Sequence, residues 1–295
     1  METKKACAKI IMFGEHAVVY GKSGIALPIK KLYTMATVVD EPFSYETDKE
    51  LSEEETQKMA KLFKLIFEKL EITTNISAAI ESNIHRKTGL GSSASLSVAL
   101  VRAFSNYHSK NLSNENINEI AFECEKIFHG NPSGIDNTVI TFEKPVLFNN
   151  GKFEFINLRS PIHIIIANTG TKPSTKEIVA EVRQRYEEDI VKYSRIFDEI
   201  GKIAQEAKTL LEKHDLKKTG KLMIRNHELL REIGVSSKEL DTLVERALHS
   251  GAYGAKLAGA GKGGNVIALV DERMKEKVLH SLKELSHEIT SAVIS

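Results

Sequence analysis

Between an alternating, strand-like segment at 76–80 and a long apolar helical pattern lies the run Gly89-Leu90-Gly91-Ser92-Ser93-Ala94-Ser95. Few loops restrict a fold so strongly. Glycines reach positive φ and let the backbone come close to a ligand. Serines can cap the following helix or offer hydroxyl oxygens to a metal. The free N–H groups of a helix start attract anions. Together they read as a phosphate cradle. It is not a Walker A loop, because no lysine precedes the serine pair. The plainer alternative is a glycine-rich turn that caps an ordinary core helix.

Patterning on either side mixes strands and helices. Segments 6–13 and 33–39 are β-like, and Ser52-Glu53-Glu54-Glu55 is a capping box. It opens a helix with an apolar stripe of Met59, Leu62, Phe63, Ile66, Phe67 and Leu70. Helices are expected over 93–107 and from about 113, then short strands at 137–142 and 146–148 with a turn at Asn149-Asn150-Gly151. The run 163–167 reads as a buried strand. A helical pattern covers 174–214, with Gly201 and Gly220 as expected interruptions. A second capping box, Ser236-Ser237-Lys238-Glu239, opens a helix ending near Gly251. Strands at 255–257 and 266–270, a helix over 271–285 and a strand at 289–294 complete the pattern. The order is not a strict βαβ rhythm, which favours α+β over a doubly wound sheet. The expected division is an N-terminal domain over 1–160 and a C-terminal domain over 161–295.

The chain has 295 residues, with 41 Lys plus Arg against 40 Asp plus Glu. That near-neutral balance gives no global field for nucleic acid or a membrane surface. No apolar run reaches spanning length, and 1–5 lacks the apolar core of a signal peptide. Cys7 and Cys124 form no metal-ligand pattern. A reducing, cytoplasmic setting is the simplest expectation.

Three further segments carry chemistry. Lys9, Glu15 and His16 sit at or just beyond the end of the first strand. Glu125 ends a helix, and Asp136 follows the tight turn His129-Gly130-Asn131-Pro132-Ser133-Gly134. Two carboxylates and a lysine suit phosphoryl transfer: one binds Mg2+, one takes the proton of the attacking hydroxyl, and the lysine supplies positive charge. Finally, Gly259-Ala260-Gly261-Lys262-Gly263-Gly264 has too many glycines for an ordinary hairpin. Close backbone approach explains it better.

In this order the segments resemble the superfamily of galactokinase, homoserine kinase, mevalonate kinase and phosphomevalonate kinase, and its mevalonate kinase family above the others. The discriminating strings are Phe13-Gly14-Glu15-His16-Ala17-Val18-Val19-Tyr20-Gly21 and His129-Gly130-Asn131-Pro132-Ser133-Gly134-Ile135-Asp136-Asn137, joined by Asn168-Thr169-Gly170-Thr171-Lys172-Pro173-Ser174-Thr175-Lys176. The resemblance implies an α+β fold of two domains. The N-terminal domain is similar to the second domain of ribosomal protein S5, and the C-terminal domain is ferredoxin-like. It also implies ATP as phosphoryl donor, Mg2+ as cofactor, mevalonate as acceptor and homodimers as in many members. By the same resemblance Asp136 is the base and Lys9 its partner. Gly89, Leu90, Gly91, Ser92, Ser93, Ala94 and Ser95 wrap the phosphates. Ser93 and Glu125 bind the metal, and Glu15, His16 and Thr175 face the acceptor. The chain departs from the family pattern in Ala6-Cys7-Ala8 before Lys9, in His85 where a proline is usual, and in Lys262 where glycine is common. Arg86 and Lys87 add positive charge near the loop, and Lys262 meets either a phosphate or solvent. Phosphomevalonate or homoserine kinases remain alternatives. So does a non-catalytic ligand sensor, which would have shed the lysine, the aspartate or the metal carboxylate.

Overall fold

The computed structural model describes residues 1–48, 50–74, 76–85, 88–130, 132–171 and 174–295. By contacts the chain forms two units. One comprises Met1–Lys9, Pro28–Arg86 and Leu90–Glu143, the other Ile10–Leu27, Lys87–Gly89 and Lys144–Ser295.

The elements met first are β1 (Glu2–Phe13), β2 (Gly24–Val39), β3 (Tyr45–Thr47), α1 (Glu53–Lys69) and β4 (Ser77–Ser82). They are followed by α2 (Ser92–Tyr107), α3 (Asn114–His129) and α4 (Ile135–Phe142). In the first unit β4 runs antiparallel to Thr34–Val39 of β2 and parallel to β3. The capping box at Ser52 forms as its sequence predicts, with Ser52 and Glu55 bonding each other's backbone N–H. Helix α1 buries Met59, Leu62, Phe63 and Ile66, and the rings of Phe63 and Phe67 meet Phe104 edge-on at 5.9 and 5.1 Å. Helix α2 is buried on almost every side from Ala94 to Ser105, as expected for a helix through the middle of a core.

Two expectations change here. Strand β2 begins at Gly24 rather than near 33; Pro28 and the charged pair Lys30-Lys31 interrupt the apolar alternation of its first half. Residues 137–142, expected as a strand, belong to helix α4. Their β-branched content favours strands. It is overruled at Gly134, whose φ of +89° starts the helix, and by Thr138, whose hydroxyl donates to the Gly134 carbonyl at 2.7 Å. Asp136 therefore stands in the first turn of a helix.

The second unit contributes β5 (Val146–Asn149), β6 (Lys152–Phe155), β7 (Ile162–Asn168), α5 (Thr175–Glu188), α6 (Ile190–Glu212), α7 (Leu216–Glu232) and α8 (Lys238–His249). It ends with β8 (Gly254–Ala258), β9 (Asn265–Val270), α9 (Glu272–Lys283) and β10 (Glu288–Ile294). β5 and β6 form the expected hairpin, turned by Asn150 and Gly151, both at positive φ. An antiparallel sheet runs β10-β7-β9-β8. The long helical pattern breaks at Asp189, whose side chain caps α6. It does not break at Gly201 or Gly220, which lie inside α6 and α7. Both glycines mark close approaches instead. A Cβ at Gly220 would sit 2.1 Å from the Tyr253 carbonyl oxygen, and one at Gly201 would sit 3.1 Å from Lys22 Cβ. The cap of α8 is Ser237, one residue later than expected, because the Ser236 hydroxyl donates to Asp241 instead. Among the described residues no helix is long and apolar enough to cross a membrane. Cys7 and Cys124 are free and buried, and burial pushes both thiols up to about 12.

Candidate active site

In the first unit the stretch Leu90-Gly91-Ser92-Ser93-Ala94-Ser95 is a helix start with no side-chain cap. Gly91, at φ +75°, is the N-cap of α2. The first helical bond is from Ser95 N–H to the Gly91 carbonyl, at 2.9 Å. The N–H groups of Ser92, Ser93 and Ala94 thus have no acceptor within the helix, and they form the positive end of its dipole. Ser95 does a different job. Its hydroxyl donates to the Ala6 carbonyl at 2.8 Å and accepts the Thr34 N–H at 3.2 Å, so it ties α2 to β1 and β2.

Lys9 lies directly under this turn. Its N–H donates to the Leu90 carbonyl at 3.0 Å. A Cβ at Gly91 would fall 2.7 Å from Lys9 Cγ, so only glycine lets the loop pass over the lysine stem. The ammonium meets Asp136 Oδ1 at 3.0 Å. The Lys9 side chain is 5% exposed and that of Asp136 is 28% exposed, so the carboxylate keeps an open side. It stands in the first turn of α4.

Glu125, on α3, is 1% exposed. Its Oε2 accepts the Ser93 hydroxyl at 3.1 Å, while its Oε1 has no hydrogen-bond partner among the described residues. Burial, and next the nearby charge of Asp136, push its carboxyl up to about 8, against the pull of Ser93 and Lys9. His129 Nε2 lies 3.1 Å from the Ser93 hydroxyl. His129 opens the turn that leads to Asp136, and its sequence position alone gives it no contact. Helical spacing puts it one turn beyond Glu125. An orphaned carboxylate oxygen beside a hydroxyl suits a hard, oxygen-seeking cation. Among the described residues no group of three His, Cys, Asp or Glu side chains gathers to hold a metal alone. Mg2+ is commonly held by one or two carboxylates together with substrate phosphates, and the Glu125–Ser93 pair offers one such carboxylate.

The second unit holds the acceptor candidates. Gly14, at φ +98°, lets the end of β1 press against Gly24, where a Cβ would come within 2.4 Å of the neighbouring Cα. That turn delivers Glu15 and His16 into buried positions. The Glu15 carboxylate forms an ion pair with Lys256, which is wholly buried and also donates to the Leu257 carbonyl at 2.6 Å. Lys256 is absent from the sequence-based set. Its signal was a lysine within the apolar stretch of β8, a position that solvent cannot reach. His16 donates Nε2–H to the Ala260 carbonyl at 2.8 Å, which leaves Nδ1 as an acceptor. Burial holds its imidazole below the usual histidine range, so it is neutral near pH 7.

Thr175 stands apart as the exposed first residue of α5, whose cap is Ser174. The Lys262 side chain is 36% exposed. Its ammonium pairs with Glu181 on α5, and its N–H donates to the Val235 carbonyl at 2.7 Å. Arg86, Lys87, Asn131 and Lys172 lie outside the described residues.

This arrangement has close relatives. The N-terminal domain of the GHMP kinases matches residues 56–144, and the GHMP kinase C-terminal domain matches residues 207–287. The mevalonate kinase of Pyrococcus abyssi is 36% identical over 92% of this chain and 89% of its own length. That of Methanocaldococcus jannaschii is 33% identical over 95% of both. Among solved structures, L. major mevalonate kinase in complex with R-mevalonate superposes with a TM-score of 0.88 at 30% identity, covering 100% of this chain and 96% of that one. With two domain matches in order and identity above 30% along nearly its whole length, the chain belongs to the GHMP kinases and, within them, to the family of these mevalonate kinases.

Proposed function

We propose that this kinase transfers the γ-phosphoryl group of ATP to the primary hydroxyl of mevalonate, giving 5-phosphomevalonate for isoprenoid synthesis in the cytoplasm. One observation supports this above the others: the Lys9–Asp136 pair lies beneath the uncapped start of α2, and the buried Glu125 carboxylate bonds that helix's Ser93. Asp136 accepts the proton of the attacking hydroxyl. Lys9 holds the Asp136 carboxylate in place and offsets charge that develops on the transferred group. The backbone of Gly89, Leu90, Gly91, Ser92, Ser93 and Ala94 binds the phosphates. Ser95 contributes through the fold, since its amide and hydroxyl are both engaged. Ser93 and Glu125 would hold Mg2+, which would neutralise phosphate charge when bound. Glu15 and His16 bind the acceptor, with Thr175 at the start of α5. The proposed domains remain 1–160 for ATP and 161–295, and the two family matches fall on either side of that boundary. A homodimer, as in many members of the superfamily, is part of the proposal.

The acceptor is tested by coupled ADP release with mevalonate, phosphomevalonate, homoserine and galactose. Mevalonate is expected to turn over and the other three to be poor. A phosphorylated acceptor brings a dianion that calls for dedicated Arg or Lys donors. Here Lys256 is committed to Glu15, and Lys262 to Glu181. Faster turnover of phosphomevalonate would overturn the substrate assignment and leave the kinase assignment standing.

The metal ligands make a separate prediction. Glu125 has an ordinary value of 4.5 and sits at about 8 in the fold. The folded chain therefore binds the extra proton over that interval, and stability falls as pH rises through it. Between pH 5 and about 8 the melting temperature of the nucleotide-free protein should fall relative to that of Glu125→Gln, which lacks this titration, whereas the buried His16, His129 and His227 act in the opposite sense in both proteins. Ser93→Ala and Glu125→Gln should each raise the Mg2+ concentration for half-maximal activity at saturating ATP. Unchanged half-saturation in both would place the metal elsewhere.

A further inference from the structure

Three loops of the second unit meet at two asparagine side chains that have no role in the chemistry above. Asn168 ends β7 and Asn265 begins β9, and they face each other in the antiparallel ladder. They are 7% and 2% exposed. Asparagine is disfavoured in strands, and a buried amide is costly unless all its bonds are made. Two of them opposed at a sheet end break a local rule, which marks a place where function outweighs propensity.

The bonds run in one direction. Asn168 Oδ1 accepts the Gly170 N–H at 2.7 Å, at the start of the segment leading to Thr175. Asn168 Nδ2 donates to Asn265 Oδ1 at 2.8 Å. Asn265 Nδ2 then donates to the Thr88 carbonyl at 2.6 Å. Thr88 is the residue before Gly89. The same junction joins the last glycine loop, since Thr169 N–H donates to the Gly264 carbonyl at 2.9 Å and Gly264 N–H to the Thr171 carbonyl at 3.1 Å. Reversing the Asn265 amide would set its oxygen against the Thr88 carbonyl. Asn168 forbids that reversal, because its own amide is oriented by Gly170. A carboxylate at 265 could accept from Asn168 and could not donate to Thr88.

We propose that Asn265, oriented by Asn168, is a positioning residue for the ATP-phosphate loop. It fixes the Thr88 carbonyl and so sets the path by which the chain enters Gly89. It touches no substrate atom and acts through Thr88. The inference rests on reading 89–94 as the phosphate cradle.

Two variants of the full chain test it. Asn265→Asp keeps the size and the acceptor for Asn168, removes the donor to Thr88 and adds a negative charge. Asn265→Ser loses the same reach without adding charge, and decides the matter if the aspartate variant does not fold. ATP dissociation constants are measured calorimetrically with Mg2+ and no acceptor, beside steady-state constants and melting temperatures. Both variants should weaken ATP binding and raise its KM on the order of tenfold, the worth of one buried hydrogen bond. The acceptor KM should stay within about twofold, since the donor to Thr88 serves the nucleotide alone. A lowered melting temperature with unchanged ATP binding would make the pair merely structural and overturn the proposal. Wild-type protein that binds no ATP would defeat the reading of the loop and this inference together. Wild-type binding with unaffected variants would defeat the inference alone.

Discussion

Asp136→Asn is expected to lower kcat by about 10²–10⁴-fold, the usual worth of a general base, while leaving ATP affinity nearly intact. The substitution is nearly isosteric. It keeps an oxygen for the Lys9 ammonium, which lies 3.0 Å away in the parent protein. It leaves the Gly134 cap and the first turn of α4 in place. What it removes is the carboxylate proposed to take a proton from the acceptor. Loss of kcat with an unchanged ATP dissociation constant is therefore the signature, because only a transition-state interaction has gone. Steady-state kinetics and direct ATP titration measure the two quantities. A variant within a few-fold of wild type would exclude Asp136 from proton transfer.

Lys256→Met is expected to destabilise the protein by about 3–5 kcal/mol, the cost of stranding one partner of a buried ion pair. Lys256 and Glu15 are 0% and 1% exposed, so water cannot take over the part of the missing ammonium. The thioether is close to the lysine stem in volume, which keeps a cavity from confusing the result. Equilibrium urea unfolding gives the number. Adding Glu15→Leu should recover much of the loss, since an apolar pair often replaces a buried salt bridge without cost. The double variant should be inactive even though it is stable, given the role proposed for Glu15 in binding the acceptor. A Lys256→Met protein within about 1 kcal/mol of wild type, the range of ordinary surface changes, would show that the pair contributes little to the fold.

Much of the candidate site was legible because the phosphate chemistry proposed for it leaves local marks. Glycines beside serines at a helix start, a lysine in the first strand and an aspartate beyond a Pro-Gly turn are each visible within a few residues. What escaped notice depends on residues distant in sequence. Lys256 looks like one charge in a short strand until Glu15, far away in the chain, is found against it. Asn265 looks like a poor strand former until Thr88 is found within its reach. Helix α4 escaped for another reason. Val139, Ile140 and Thr141 read as strand, and burial on all sides removed the periodicity that separates the two structures. Gly201 and Gly220 read as breaks because glycine lowers helix propensity. Only the neighbouring backbone shows that the helices need them.

Helix α2, enclosed from Ala94 to Ser105, has little freedom to fray or pivot at the end that carries the free N–H groups. Nucleotide bound there as proposed would meet donors already aimed, and little ordering entropy would oppose its binding. Affinity gained in this way comes from fixed dipoles and charges rather than from loop closure. Added salt should weaken it, whereas lengthening or softening the surface loops should leave it unaltered.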